Sequence, residues 1–270
     1  RRVRCKQMSI HSDWARVLHE ECPQAFKKGD RVPKGEYDVG IIDGHLQMMR
    51  LHGKLPSWTK FIEYLFLKPV KKLFEAGCPV VVLCFDSYDS VPLYKGITQA
   101  CRVASSSADV HPFGIHEELP STIPEDTTPY LLNRNFKIKL VEMVCDRLPR
   151  MLLSSLTEEQ TLLIDYKRVA SYTRHSLIPV ILDHFEPMGE SDVKFCRYVK
   201  RYGNALVHAI DGDYMVIALL YYAKHGLFSD NRILIYRHLA IITPSAASTK
   251  QKRKKPAEPE GEAEEMEEAE

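Results

Sequence analysis

Two apolar runs, each closed by an aspartate, constrain this chain more than anything else in its sequence. Tyr37 to Gly44 is an apolar stretch that ends in Asp43, and Pro79 to Phe85 is wholly apolar and ends in Asp86. A strand with one solvated face alternates polar and apolar residues. A strand covered on both faces reads as continuous hydrophobicity, as these do. Between them, residues 58–76 repeat apolar side chains at helical spacing (Phe61, Leu65, Val70, Leu73, Phe74) and stop at Gly77, a common residue just past a helix end. Strand, helix, strand with this patterning predicts an α/β fold, three layers with a mostly parallel central sheet, and it puts each aspartate at the carboxyl tip of a strand.

The pattern recurs downstream. Leu177 to Leu182 reads as an edge or interrupted strand because of Pro179. Ala205 to Ile210 is a strand ending in Asp211, and Arg232 to Tyr236 is a short last strand. Helical spacing predicts helices over 12–21, 131–148, 157–175, about 191–202 and 215–224, with Thr157 and Gln160 as a capping box for the third. From 104 to 129, Ser, Thr and Pro dominate and periodicity is lost, which reads as a mobile loop or insertion.

Composition excludes several classes. A chain of 270 residues that is 44% hydrophobic supports one main domain. No apolar run approaches the roughly 18 residues that span a bilayer, and Arg1, Arg2, Arg4 and Lys6 are not followed by an apolar signal core, so neither a membrane protein nor a secreted one is expected. Seven cysteines without a C-x-x-C pair argue against a disulfide framework and a zinc ribbon, and read as reduced thiols inside a cell. The balance of 37 basic against 36 acidic residues hides an asymmetry. A basic cluster (Lys250, Lys252, Arg253, Lys254, Lys255) precedes a segment rich in glutamate, and together they read as a solvated tail, with the cluster as a nuclear-import signal. The tail carries eight acidic and five basic residues, so the body is three charges more basic than the whole chain, a mild bias towards polyanions.

In parallel sheets ligands bind beyond the carboxyl ends of the strands. Asp43, Asp86 and Asp211 sit there, Asp213 follows two residues later, and Glu190 and Asp192 open a helix, so six carboxylates are expected on one edge. So many like charges do not stay ionised together without cations. The expected partners are two Mg²⁺ or Mn²⁺ ions, hard ions with oxygen ligands that bridge to phosphates, one activating a water and the other stabilising the leaving oxygen in phosphodiester hydrolysis. Singly, each acid is more often a helix cap or turn residue. Their repetition favours a shared site. Of eleven histidines only His45 lies near these acids, where packing or exposure is its commoner role.

The order Asp43, Asp86, Glu190-x-Asp192, Asp211-x-Asp213 resembles the structure-specific 5′ nucleases of the flap endonuclease and xeroderma pigmentosum group G type, and the related 5′ to 3′ exoribonucleases, which share a PIN-like core. Met8-Ser9-Ile10 with Trp14, Leu18 and Pro23 to Phe26 looks like the opening segment of that family, which makes Met8 its functional start. The resemblance covers about 8–240 and implies an N-terminal extension (1–7), a nuclease core in two parts (8–103 and 177–245), an arch or cap insertion (104–176) and the basic-then-acidic tail (246–270). It implies that Lys95 and Arg102, seven residues apart after Asp86, stabilise charge developing on the scissile phosphate.

The chain also departs from the family. Glu190-Ser191-Asp192 stands where Glu-x-Glu is usual, and the helix-hairpin-helix that grips duplex DNA has no counterpart. The expectation is a metal-dependent 5′ nuclease acting on branched or single-ended DNA in DNA repair in the nucleus, with a protein partner in place of the missing duplex grip, unless the chain is a fragment. An exoribonuclease, and a retired nuclease fold serving as an interaction subunit, are the alternatives.

Overall fold

The computed structural model describes residues 35–87, 109–209, 213–225 and 233–236, together with Glu20 and Cys101. Lys95, Arg102 and Asp211 lie outside the described residues, as do the terminal tail and nearly all of the helix expected at 12–21.

Seven strands form one sheet: β1 (Val39–Asp43), β2 (Val80–Cys84), β3 (Thr161–Asp165), β4 (Val169–Thr173), β5 (Ser176–Ile181), β6 (Ala205–His208) and β7 (Ile233–Tyr236). Their order is β5-β4-β3-β2-β1-β6-β7. The five strands from β3 to β7 across the sheet are parallel, and β4 and β5 fold back antiparallel at one edge. The α/β class and the mostly parallel sheet read from the two opening runs are therefore observed.

The helices are α1 (Gly44–Met48), α2 (58–75), α3 (Thr128–Leu132), α4 (Arg134–Leu152), α5 (Ser191–Tyr202) and α6 (Asp213–His225). Within α2 the turn Glu63–Leu67 is π-helical. Gly77 follows α2 with φ +106°, the left-handed backbone that lets the chain turn into β2 without a Cβ penalty. None of these helices is long and apolar enough to cross a membrane.

Successive strand residues point to opposite faces, and two cores result. Ile42, Val81, Leu83, Leu162, Ile164 and Leu206 pack with α2 and α4. Ile41, Val82, Leu163 and Val207 pack with Phe195, Tyr198 and Val199 of α5 and Tyr214 of α6. Every residue of β1 and β6 is buried, as a strand covered on both faces requires.

Two expectations are corrected. Residues 157–175 are not a helix but β3, a turn and β4. Gln160 Oε1 does accept the Thr157 N–H at 3.1 Å, yet it closes a turn before β3 rather than capping a helix. Thr161-Leu162-Leu163-Ile164-Asp165 is a third apolar run ending in an acid, and its pairing with β2 overrides the helical spacing. The span 104–176 is accordingly no separate cap. It supplies β3 and β4 to the sheet and α4 to a helical layer, and among its described residues the irregular part is 109–127. Pro179 sits on an edge strand as expected, and Leu177, Ile178 and Val180 beside it are exposed.

A candidate carboxylate site at the strand ends

From β1 the sheet grows towards β2 on one side and β6 on the other, so the strand order reverses beside β1, and it is beyond the carboxyl ends at such a point that open parallel sheets bind ligands. Asp43 closes β1 at this point and also starts α1, its Oδ1 accepting the Leu46 N–H at 3.0 Å. The cap role expected of an isolated aspartate is thus real. Gly44 is needed next to it. A Cβ there would lie 2.7 Å from the Phe85 ring and 2.8 Å from the Cys84 carbonyl oxygen, so only glycine lets the end of β1 close on the end of β2.

Asp86 stands two residues beyond β2, 3% exposed against 6% for Asp43. One residue joins the two. Ser191, first in α5, donates its backbone N–H to Asp86 Oδ1 at 2.9 Å and its hydroxyl to Asp43 Oδ1 at 3.3 Å. His45 Nδ1 lies 3.7 Å from the other Asp86 oxygen. Burial pushes the Asp43 carboxyl up from its ordinary 3.8 to about 6, and the nearby Asp86 charge adds to this. Hydrogen bonds from Leu46 and Ser191 work in the opposite direction. Tyr214, buried in the first turn of α6, has its hydroxyl pushed far up by burial and then by the charges of Asp43 and Asp192.

Of the expected acids, Asp43 and Asp86 share a hydrogen-bonding partner, and Asp192 lies in the first turn of α5. Glu190, immediately before α5, and Asp213, which opens α6, are both half-buried. Among the described residues, no three of His, Cys, Asp and Glu gather as ligands of one ion, so the convergence of six carboxylates is not seen there. The donor set still suits a hard divalent ion. It is all oxygen, and a cation would offset the burial and the neighbouring charge that raise Asp43.

Three residues escaped the sequence reading. Asp165 ends β3 as Asp43 ends β1, but it is sealed by charge: Lys194 Nζ lies 3.1 Å from Oδ1, Tyr198 donates to Oδ2 at 2.7 Å, and Arg197 also bonds Oδ2. The apolar run before it was the available signal, hidden by the helical reading of 157–175. Ser191 and Lys194 carried no signal beyond lying at the start of an expected helix.

Between α1 and β6, fully buried Gln47 lies 3.5 Å from His208 Nδ1 through Nε2 and accepts from Arg50 at 3.1 Å, so the polar atoms there are tied together. No protein-family model matches this chain, and comparison with curated proteins and with solved structures likewise yields no match.

Proposed function

We propose that the protein is a divalent-metal-dependent 5′ nuclease with a PIN-like core, hydrolysing phosphodiester bonds in branched or single-ended DNA. The observation that carries the reading is the Asp43 and Asp86 pair: two buried carboxylates at and just beyond the ends of adjacent parallel strands, bridged by Ser191 at a helix N-terminus, with the Asp43 carboxyl pushed up by burial and then by its neighbour's charge. Asp43, Asp86, Glu190, Asp192, Asp211 and Asp213 are the residues that would hold Mg²⁺ or Mn²⁺. Bound there, two such ions supply an activated water and offset the charge of the phosphate and its leaving oxygen.

The chain's own part is positioning. Ser191 fixes one oxygen of each carboxylate, and His45, partly exposed, stands 3.7 Å from the other oxygen of Asp86. Lys95 and Arg102 are proposed to steady the phosphate. A protein partner is proposed to hold the duplex.

One observation favours a second reading. Asp43 serves as a helix cap for α1, and Asp86 binds the first N–H of α5, so both carboxylates have structural work without a metal. A nuclease-like interaction module would retain them for that reason alone. Cleavage of 5′-labelled flap DNA, single-stranded DNA and single-stranded RNA with Mg²⁺ or Mn²⁺, beside an Asp86→Asn, Asp192→Asn double substitution, separates the two. Metal-dependent cutting that the doubly substituted protein loses is expected, strongest on flap DNA. Stronger cutting of RNA would move the assignment to an exoribonuclease. Absence of cutting by the folded wild type, which also binds metal no more tightly than the doubly substituted protein does, would leave the interaction module.

A further inference from the structure

Lys194 is fully buried, an unusual place for an ammonium group. Its Nζ lies within reach of five oxygens: the carbonyls of Phe85 (2.5 Å), Tyr166 (3.1 Å) and Asp165 (3.3 Å), the Ser87 hydroxyl (3.1 Å) and Asp165 Oδ1 (3.1 Å). An ammonium has three N–H donors, so every one of them is engaged by the loops after β2 and β3. These acceptors bracket one residue. Phe85 precedes Asp86 and Ser87 follows it, while Asp86 itself receives the Ser191 N–H three residues before Lys194 on the same helix. Ser87 is tied down further, its N–H donating to the Gly189 carbonyl at 2.6 Å and its hydroxyl bonding the Tyr166 carbonyl.

We propose that Lys194 is the positioning residue of the carboxylate site: it holds the Phe85 carbonyl on one side of Asp86 and the Ser87 hydroxyl on the other, ties both to the loop after β3, and so fixes the Asp86 carboxylate against Ser191 and Asp43. Charge balance alone does not explain it. Asp165 keeps Arg197 and Tyr198 without Lys194, and an apolar side chain of similar volume would avoid the desolvation penalty of a buried ammonium. What Met cannot do at 194 is hold the Phe85 carbonyl and the Ser87 hydroxyl on either side of Asp86 against the Asp165 and Tyr166 carbonyls.

The test uses the full chain with Lys194→Met and Ser87→Ala. Native-state amide exchange is read at Ser191, whose N–H bonds Asp86, relative to the amides of β1 and β2, so that a general loss of stability cancels. In Lys194→Met the Ser191 amide is expected to exchange about tenfold faster in that ratio, and by a smaller factor of the same sign in Ser87→Ala. The metal arm of the test rests on the nuclease reading: the Mn²⁺ dissociation constant rises about tenfold in Lys194→Met, and kcat falls with KM for the oligonucleotide unchanged. A Ser191 ratio unchanged in folded Lys194→Met overturns the proposal. If that substitution prevents folding, an unchanged ratio in Ser87→Ala overturns it. A wild type that binds no Mn²⁺, together with the faster Ser191 exchange in Lys194→Met, sinks the nuclease reading and leaves the positioning role of Lys194 standing.

Discussion

Replacing Asp43 with asparagine should make this protein more stable while removing the carboxylate most exposed to its neighbour's charge. The Asp43 carboxyl is raised from 3.8 to about 6 chiefly by burial, with Asp86 adding to it. The folded state therefore keeps this proton to higher pH than the unfolded chain does, and unfolding releases it between about pH 4 and pH 6. Stability contributed by this group is intact below about pH 4, falls as pH rises through that window, and stays low above it. Two pKa units correspond to about 3 kcal/mol. Asn has the same shape, caps helices as well as Asp, and can accept the Leu46 and Ser191 bonds at Oδ1. Asp43→Asn is thus expected to gain up to about 3 kcal/mol at pH 8 in the presence of a chelator, or roughly 6 to 12 °C in Tm for a domain of this size. At pH 5 the gain should shrink to about half that, because wild-type Asp43 is then largely protonated in the folded state. Urea unfolding at the two pH values measures it. Saturating Mn²⁺ should close the gap from the other side, stabilising the wild type by about 2.7 kcal/mol at one hundred times its dissociation constant and the asparagine form by much less. An asparagine form less stable than wild type at pH 8, or with a gain that does not change between pH 5 and pH 8, would refute the account of Asp43 as a buried carboxyl strained by burial and a like charge.

Three other substitutions probe neighbouring features. Ser191→Ala removes the hydroxyl from Asp43 but keeps the N–H to Asp86, and should cost about 1 to 2 kcal/mol in chemical denaturation, with a wild-type midpoint counting against the bridge. Gly44→Ala meets a backbone oxygen at 2.8 Å, which cannot swing away as a side chain could, and should lose about 1 to 3 kcal/mol; an unchanged Tm would show that the ends of β1 and β2 are less tightly closed than that contact implies. Ile178→Lys on the exposed β5 edge should leave the unfolding midpoint within about 0.5 kcal/mol of wild type while reducing aggregation in light scattering, and a large destabilisation would mean that this edge is covered.

The parallel centre of the fold was legible because β1 and β2 are buried on both faces and so spell out their environment in consecutive letters. The end of α2 was legible for a similar local reason, since Gly77 adopts a backbone that few other residues tolerate. β3 was not. Its apolar run is flanked by residues that also satisfy a 3.6-residue period, and only the neighbouring strand, about 80 residues earlier in the chain, decides between the two. In the site, the strand-end rule located Asp43 and Asp86 but could not rank them against Asp165, which ends its strand in the same way. The difference lies in Lys194 and Arg197, which reach Asp165 from a helix about 30 residues later. Ser191 was invisible for a related reason: serine at a helix start is commonplace, and its two bonds span 105 and 148 residues of sequence.

The register of the three central strands puts Asp43, Cys84 and Asp165 side by side on one rung of the sheet. Adjacent strands lie about 4.8 Å apart, so the cysteine keeps the two flanking carboxylates roughly 10 Å from each other. Burial, and then Asp165, pushes the Cys84 thiol far above its ordinary range, so it carries no charge of its own at any pH the protein would meet. It works as an insulating spacer. On one side of it a carboxylate is neutralised by fixed cations, and on the other the buried Asp43 carboxylate meets the hydrogen-bond donors of Leu46 and Ser191, with no fixed cation beside it among the described residues. The acid of the middle strand is carried two residues further along the chain, to Asp86, so the sheet presents its charges as a staggered pair instead of a crowded row of three.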